Sequence, residues 1–405
     1  MKIDLVSEHA SPLAVLGGDD AGGQNVHVAA LALALGELGA DVTVHTRRDD
    51  PSLPATVAFG PGVAVSHIDA GPAEPVPKDK LFPYLPAFTD ALAERWRSER
   101  PDVVHAHFWM SGVVSLGAAR PLGIPVALTY HALGVVKQLH QGQQDTSPRA
   151  RLARERELAQ RADLILATTC DEALELVTQG ADPSRITVVP CGVDLSAFRP
   201  CGSTAPRRTD RARVVIVSRL VERKGIGSAI EALADIPGAE LVVAGGPPEA
   251  MLEEDPHARR FLDVAQRQGV ADRVELLGAL DRRHVPPLLR SADVVVCCPW
   301  YEPFGLVAVE AMACGVPVVA SAVGGLAETV VHGVTGLHVP PRDPIALAAA
   351  VRTLLANGPM RQRMGAAAAH RAQGYGWPDI AARTLEALTT VARTPATVPA
   401  EELHR

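Results

Sequence analysis

Two glutamates, Glu302 and Glu310, are separated by seven residues in the segment from Tyr301 to Gly315. The first lies in a loop with proline and glycine. The second lies in an apolar run that predicts the first turns of a buried helix. Carboxylates so placed can accept hydrogen bonds from hydroxyl groups, and the free N–H groups of a helix N-terminus favour an anion. The segment therefore predicts a pocket for a ligand that combines hydroxyl groups with an anion, as a sugar nucleotide does.

A basic loop from Ser218 to Gly225 follows a predicted strand in the second half of the chain and carries Arg219 and Lys224. A guanidinium and an ammonium together could neutralise a diphosphate leaving group. A solvated basic loop is the alternative, since charged loop residues usually face water.

A glycine-rich loop follows the first predicted strand, and Gly22 and Gly23 lie where the next helix is predicted to begin. Glycine lets the backbone approach a ligand closely, and the helix N-terminus offers N–H groups to a phosphate. The spacing is not G-x-G-x-x-G, so an ordinary tight turn remains an alternative. Gly245 ends a strand in the second half and could admit a nucleotide or simply form a turn.

Three histidines lie in or after predicted strands. His131 follows a strand that ends at Tyr130, where it could hydrogen-bond a sugar hydroxyl or the reacting centre. His105 and His107 lie within a strand, and we expect at least one of them to be packed in the core. No spacing of His, Cys and Asp predicts a metal site, and the sequence contains neither a nucleophile elbow nor a P-loop.

Composition limits the class of protein. A chain of 405 residues with 47% hydrophobic and 21% charged residues predicts two soluble globular domains. The net charge of -7 argues against a nucleic-acid partner. No apolar run is long enough to span a membrane, and the first residues predict a buried strand rather than a signal peptide. The six cysteines form no CxxC pair, which favours reduced thiols and a cytoplasmic location.

Short runs of Val, Ile and Leu alternate with helical patterns, which is typical of a parallel sheet with helices on both faces. Predicted strands span residues 3–6, 41–46, 102–107, 125–130, 163–168, 186–189, 214–217, 240–244, 274–277, 294–298 and 316–320. The pattern restarts after a polar, proline-containing stretch at residues 199–206. We therefore expect an α/β protein with two Rossmann-like domains, 1–198 and 199–376, facing each other across a cleft. Residues 377–405 would form a C-terminal helix that crosses back to the N-terminal domain.

The chain resembles the retaining GT-B glycosyltransferases of the family that includes sucrose-phosphate synthases and the D-inositol 3-phosphate glycosyltransferases of mycothiol synthesis. The resemblance covers nearly the whole chain. It is carried by residues 9–13, 20–26 and 105–112, by Arg219 with Lys224, and by Glu302 with Glu310. It implies the GT-B fold and transfer of a hexose from a nucleotide diphosphate to an acceptor hydroxyl, with retention of the α configuration.

The resemblance also implies roles for the matching residues. The catalytic group would be His131, Arg219, Lys224 and Glu302. The donor-binding group would be Gly22, Gly23, Gly245, Phe304, Gly305, Leu306, Val307 and Glu310, with Glu310 on the ribose. The acceptor-binding group would be His9, Asp20, Asn25, Lys78, Phe108, Ala132 and Arg151.

The acceptor site departs from the resemblance at two positions. The inositol-phosphate enzymes use a tyrosine and a threonine to help hold the acceptor phosphate, and here these positions are Phe108 and Ala132. Each missing hydrogen bond to a phosphate costs about 1–3 kcal/mol. We therefore expect the acceptor to be a related polyol, cyclitol or sugar, with or without a phosphate.

Positive charge at the leaving diphosphate makes a metal or other cofactor unnecessary for the expected chemistry. The donor would be a UDP-sugar first, with GDP- and ADP-sugars as alternatives. The expected partners are the small-molecule donor and acceptor, with a homodimer possible. Three other functions stay open: a GT-B sugar-nucleotide 2-epimerase, a pyridoxal-dependent phosphorylase, and a non-catalytic sugar-binding protein.

Overall fold

The computed structural model describes residues 1–14 and 22–393. These residues form two compact units. One comprises residues 1–14, 22–190 and 377–393, and the other comprises residues 191–376. We refer to them as the N-terminal unit and the C-terminal unit.

A single sheet of eight strands organises the N-terminal unit. The strands are β1 (Lys2–Val6), β2 (Asp41–Arg47), β3 (Thr56–Gly60), β4 (Val63–Ile68), β5 (Val103–His107), β6 (Val126–Thr129), β7 (Leu164–Ala167) and β8 (Ile186–Val188). Their spatial order is β3-β4-β2-β1-β5-β6-β7-β8, and all neighbours are parallel except β3 and β4. Every residue of β5, β6 and β7 is buried, so these strands are mostly apolar in the sequence, although β5 also contains His105 and His107.

Six helices connect these strands and cover the sheet. They are α1 (Gly23–Glu37), α2 (Leu85–Ser98), α3 (Trp109–Ala119), α4 (Gly134–Gln141), α5 (Arg151–Arg161) and α6 (Cys170–Thr178). The core on one face includes Phe88, Trp96 and Trp109, all from α2 and α3.

The C-terminal unit has a six-stranded sheet. Its strands are β9 (Ala212–Val217), β10 (Ala239–Ala244), β11 (Val274–Gly278), β12 (Val294–Cys297), β13 (Val318–Ser321) and β14 (Gly336–Val339). All neighbouring pairs are parallel, in the order β11-β10-β9-β12-β13-β14. Counted from β9, this is the strand order 3-2-1-4-5-6 of dinucleotide-binding folds. The helices are α7 (Ile226–Ala234), α8 (Pro256–Arg267), α9 (Val285–Arg290), α10 (Leu306–Ala313), α11 (Gly324–Thr329), α12 (Pro344–Ala356) and α13 (Gly358–Ala372).

The last helix, α14 (Trp377–Arg393), belongs to the N-terminal unit. Its buried side chains, including Trp377, Ile380 and Leu388, join the core formed by α1 and the sheet. The Trp377 ring also packs edge-on against His27 of α1, with ring centroids 5.3 Å apart. A helix distant in sequence therefore completes the first core.

The two sheets confirm the predicted pair of Rossmann-like α/β folds, and the predicted strands are correct to within two residues at each end. The strands β3, β4 and β14 are not predicted. β3 is an edge strand with much of its surface exposed, β4 contains polar Ser66 and His67, and β14 is a four-residue strand that begins with glycine. None of the three forms the uninterrupted apolar run that marks a central strand.

Among the helices that the structure describes, none combines the length and apolarity that a membrane crossing requires.

Each sheet has a place where two adjacent parallel strands are followed by connections that lead in opposite directions along the sheet. In the N-terminal unit it lies between β1 and β5, and in the C-terminal unit between β9 and β12. At such a place the two loops at the carboxyl ends of the strands lead away from each other and leave a crevice that binds ligands in open parallel sheets. The loops after β1, β5, β9 and β12 are therefore where a site is expected.

Candidate active site

In the C-terminal unit, the loops after β9 and β12 are joined by an ion pair. Lys224 Nζ lies 2.5 Å from Glu302 Oε2, and the two side chains are 20% and 19% exposed. The sequence singles out both residues separately, and the structure brings them together at the point where the strand order reverses. An ammonium and a carboxylate are thus held side by side within reach of solvent.

Glycine at two positions permits the close approach of these loops. Gly225 has φ +76°, and a Cβ there would lie 2.0 Å from the carbonyl oxygen of Cys298. Gly245, at the end of β10, has φ +125°, and a Cβ there would lie 2.1 Å from the carbonyl oxygen of Ser218. Both contacts are with backbone, so no larger residue fits without moving a loop.

The helix α10 begins directly after the Glu302 loop. Phe304 is buried, Gly305 occupies the N-cap position with φ +92°, and Leu306 and Val307 form the first turn. No side chain caps this N-terminus. Since the first N–H groups of a helix have no acceptor within the helix, this turn is suited to bind an anion. The backbone carbonyl of Glu302 accepts a hydrogen bond of 3.0 Å from Gly325, which fixes the loop against α11.

Glu310 lies in the second turn of α10 and is 2% exposed. Its Oε1 forms an ion pair with Arg282, while its Oε2 is buried and has no hydrogen-bond partner among the described residues. Arg282 also lies over the Phe198 ring, 4.6 Å from its centroid. One oxygen of a buried carboxylate is thus left to accept a hydrogen bond.

Arg282 is a residue that the sequence does not single out. It follows β11 in a short basic run, Arg282-Arg283-His284, and that position after a strand is the only signal in the sequence.

Arg219, which the sequence predicts as a site residue, lies in the loop after β9 and is exposed. The carbonyl oxygen of Arg219 accepts hydrogen bonds from the Val221 N–H at 2.8 Å and from the Ser218 hydroxyl at 3.2 Å.

In the N-terminal unit, the loops after β1 and β5 meet through His9 and Phe108. Their rings pack edge to face with centroids 4.9 Å apart. His9 Nδ1 is 2.6 Å from Glu8 Oε1, and Glu8 also accepts a hydrogen bond from the Ser111 hydroxyl. Phe108 has φ +85°, which is unusual for a residue with a side chain and marks a constrained turn at the end of β5.

Arg151 is buried, at 3% exposure, and makes extensive contacts. Its guanidinium donates to Glu155 Oε1 at 2.7 Å, to the Ala132 carbonyl at 2.7 Å and to the Ser147 hydroxyl at 3.1 Å. The guanidinium carbon lies 5.0 Å from the Phe108 ring centroid. The predicted acceptor residues Phe108, Ala132 and Arg151 are therefore in contact, but most of the hydrogen-bonding capacity of the arginine is used within the protein.

The Asn25 side chain is hydrogen-bonded at the N-terminus of its own helix, α1. Its Oδ1 accepts from the Gly22 N–H at 2.9 Å, and its Nδ2 donates to the Ser11 carbonyl at 3.0 Å. Gly22 is the N-cap of α1 and Gly23 its first residue, and a Cβ at Gly22 would meet no described atom within 4 Å. The predicted acceptor residue Asp20 lies outside the described residues.

Lys78 begins a short 3-10 turn, Lys78–Lys80, and is half-buried. The next residue, Asp79, accepts a hydrogen bond from Thr146 at 2.5 Å and lies 3.8 Å from Lys137 Nζ. This turn is thus fixed to the segment between α4 and α5, which also contains Ser147, a partner of Arg151.

Four histidines cluster beneath the same loops. His131 has φ +60°, and its Nε2 lies 3.0 Å from Nδ1 of His107 at the end of β5. The His27 ring of α1 packs against both, with centroids 5.0 Å from His131 and 5.6 Å from His107. The His105 ring lies tilted by 42° against that of His107, with centroids 4.1 Å apart, and its Nε2 is 2.9 Å from the Thr129 hydroxyl. Both strand histidines are buried, whereas the sequence predicts this for at least one of them.

Burial determines the charge of these rings. Desolvation lowers the pKa of His27 to about 4 and, together with the nearby His27, the pKa of His105 to about 3. Desolvation and the neighbouring imidazoles also lower the pKa of His107 and of His131 well below the ordinary value. The four imidazoles are therefore neutral at pH 7, and each has one nitrogen that can accept a hydrogen bond or bind a ligand.

Two family profiles match the chain. The family described as Glycosyltransferase Family 4 matches residues 21–197, and the family described as Glycosyl transferases group 1 matches residues 204–371. Each match therefore covers most of one sheet and its helices.

The chain is also similar to individual proteins over nearly its whole length. It is 39% identical to a D-inositol 3-phosphate glycosyltransferase of Kribbella flavida, over 98% of this chain and 97% of that one. Among solved structures, the sucrose-phosphate synthase of Thermosynechococcus elongatus superimposes with a TM-score of 0.89 at 34% identity, covering 96% of this chain and 98% of that one. Anabaena HepE, solved with UDP-glucose, has the same fold, with a TM-score of 0.74 at 23% identity, covering 96% of this chain and 100% of that one. The chain is therefore a glycosyltransferase of the GT-B fold, in the family to which the D-inositol 3-phosphate glycosyltransferases belong.

Proposed function

We propose that this protein is a retaining glycosyltransferase that moves a hexose from a nucleoside diphosphate to a hydroxyl group of a small polar acceptor. The observation that carries the proposal is the contact of Lys224 with Glu302, 2.5 Å long, at the strand-order reversal of the C-terminal sheet. It joins a cation suited to a diphosphate with a carboxylate suited to sugar hydroxyls, beside the uncapped N-terminus of α10.

The donor would be bound by the C-terminal unit. Lys224, Arg219 and the first N–H groups of α10 would hold the diphosphate, since all of them carry positive charge or partial positive charge. Glu302 would accept hydrogen bonds from the sugar hydroxyls. The free Oε2 of Glu310 would accept from the ribose, while Oε1 keeps its bond to Arg282. We propose a UDP-sugar as the first donor to test, followed by GDP- and ADP-sugars.

In the proposed reaction, the bond between the sugar C1 and the diphosphate oxygen breaks, and the diphosphate leaves with the electron pair. The acceptor oxygen forms the new bond on the same face of the sugar, which retains the α configuration. Its proton passes to an oxygen of the departing phosphate. Lys224 and Arg219 stabilise the charge that develops on the leaving group, and such electrostatic stabilisation is usually the largest single contribution to catalysis.

The acceptor would be bound by the N-terminal unit, near His9, Phe108 and Lys78. Phe108 offers no hydroxyl, and Ala132 contributes its carbonyl to Arg151 rather than a side-chain donor to a ligand. Arg151 itself is bound to Glu155 and Ser147. These features support a polyol, cyclitol or sugar as acceptor, and a phosphate on it would have fewer donors than in a site with tyrosine and threonine.

The first experiment is incubation of the purified chain with UDP-, GDP- and ADP-hexoses, with and without a panel of cyclitols, polyols and sugars. Nuclear magnetic resonance of the product establishes the anomeric configuration. We expect an α-linked glycoside that forms only with acceptor present. Epimerised donor without acceptor would identify a 2-epimerase instead, and donor binding without turnover across the panel would identify a sugar-binding protein. A β-linked product would refute retention.

A further inference from the structure

Three histidines of the N-terminal unit converge on one small volume. His27 comes from α1, His107 ends β5, and His131 follows β6, and one ring nitrogen from each lies within 4.8 Å of the other two. His27 and His107 are buried, whereas His131 is partly exposed. The cluster, which we call the histidine trio, therefore lies at the edge of the core rather than deep within it.

Some ring nitrogens of the trio have no hydrogen-bond partner among the described residues. Its one contact between ring nitrogens is His107 Nδ1 to His131 Nε2 at 3.0 Å. His27 Nδ1 and His107 Nε2 are buried and have no partner within the part of the chain that the structure describes. Buried polar atoms are nearly always paired, and those left unpaired call for a reason such as an ion.

We propose that His27, His107 and His131 form a binding site for a divalent transition-metal ion of the Zn²⁺ class. One ring binds an ion through one nitrogen, so His107 would use Nδ1, and the proton of its hydrogen bond with His131 Nε2 would be released on binding. Bonds of about 2.0–2.1 Å from Zn²⁺ to imidazole place neighbouring tetrahedral ligand atoms about 3.3 Å apart, slightly more than the 3.0 Å that separates these two nitrogens. A ligand set of three imidazole nitrogens favours Zn²⁺ over Mg²⁺ or Ca²⁺, which prefer oxygen. Three protein ligands leave a fourth position for water or another small ligand.

The metal site has a consequence that rests on the proposed function. His131 would lie at the reaction centre of the transferase, so an ion bound to its ring would withdraw it from the substrate. Zn²⁺ binding would therefore inhibit transfer. Binding and inhibition are separate measurements, so failure of one is distinguishable from failure of the other.

The test uses the full chain without a histidine tag, treated with a chelator and then dialysed. Isothermal titration calorimetry with Zn²⁺ alone measures stoichiometry, and the visible absorption of Co²⁺ reports four-coordinate geometry with nitrogen ligands. The variant His27→Phe keeps a ring against Trp377 and removes both nitrogens. The control His105→Gln removes a neighbouring buried imidazole outside the trio and keeps a donor for Thr129. Thermal unfolding checks that each variant is folded.

We expect one equivalent of Zn²⁺ to bind to the parent chain and to His105→Gln, and affinity to fall at least 100-fold in His27→Phe. Absence of a single-equivalent site in the parent chain overturns the proposal, whether or not the variants fold, and shows that the trio is only packed imidazole. Unchanged affinity in folded His27→Phe overturns it as well. Stoichiometric binding without inhibition would keep the metal site and count against His131 in the proposed reaction.

Discussion

Lys224 Nζ lies 2.5 Å from Glu302 Oε2, so the cation proposed for the diphosphate and the carboxylate proposed for the sugar are bound to each other. A donor that binds to both side chains must break this ion pair. Both side chains are about one-fifth exposed, so water screens part of their attraction, and the cost of removing both charges from water offsets much of the rest. The ion pair therefore holds the two loops in position, and a ligand that separates the two side chains loses little free energy in doing so.

Lys224→Ala should lower kcat by about 10²–10³-fold, the loss typical when one group that stabilises developing charge is removed. Its thermal unfolding midpoint should change little, since a partly exposed ion pair contributes about 1 kcal/mol or less. Steady-state kinetics and differential scanning calorimetry measure the two effects. The control is Arg260→Ala, which breaks the exposed 3.0 Å pair with Glu222 in the same unit and should leave kcat unchanged. A near-normal kcat in Lys224→Ala would contradict the leaving-group role.

Glu310→Gln should weaken binding of UDP about 10- to 100-fold, because a hydrogen bond to a charged acceptor contributes about 1.5–3 kcal/mol. The buried Oε2 has no partner among the described residues and is the atom proposed for the ribose. Calorimetric titration with UDP gives the affinity directly. Glu231→Gln, on the exposed face of α7, removes one carboxylate elsewhere and should bind UDP as the parent does. Equal affinities in the two variants would remove Glu310 from the donor site.

The sequence predicts the sheet because central parallel strands are buried on both faces and read as uninterrupted apolar runs. β7 and β12 follow this rule, whereas the edge strand β3 is only partly buried and is missed. The pairing of Lys224 with Glu302 is anticipated only in outline. Each residue follows a predicted strand, and the carboxyl ends of parallel strands meet at one edge.

Contacts between residues distant in sequence could not be predicted. Arg282 pairs with Glu310 because β11 and α10 belong to one unit, yet the segment that carries Arg282 reads as an ordinary basic turn. His27, His107 and His131 lack the short spacing that marks a metal motif, since each comes from a different element. Only the tertiary fold brings these groups together.

Phe108→Tyr combined with Ala132→Thr should increase affinity for a phosphorylated cyclitol such as inositol 3-phosphate. Each new hydrogen bond is expected to contribute about 1–1.5 kcal/mol, which is roughly tenfold in KM. Phe108 contacts His9 and Arg151, and the Ala132 carbonyl accepts a hydrogen bond from Arg151. Both substitutions therefore alter the same part of the proposed acceptor site. Unphosphorylated inositol is the matched ligand and should gain little. An equal gain for both acceptors would indicate a general change in the site rather than phosphate recognition.

The buried pair of Arg213 and Glu240, 2.7 Å apart across β9 and β10, predicts how stability depends on pH. Although burial alone would raise the pKa of Glu240, hydrogen bonds from Thr209 and Arg213 lower it below its ordinary value of 4.5. The folded state then binds fewer protons than the unfolded state, so stability is present above about pH 4.5 and is lost as pH falls. Glu240→Gln should unfold at lower temperature at pH 7 and show a smaller decrease between pH 6 and 3. A decrease as steep as that of the parent would refute the assignment.

His131→Asn should lower kcat about 10- to 100-fold while the fold is preserved. His131 has φ +60°, a conformation that asparagine tolerates better than most residues, so the loop after β6 need not rearrange. The amide cannot reproduce the ring that contacts His107 at 3.0 Å and packs beside His27. His131→Ala is the comparison: it should lose activity and also unfold at lower temperature, because alanine is strained at positive φ. Kinetics and calorimetry on both variants separate the two causes, and an asparagine variant with the parent's kcat would place His131 outside the reaction.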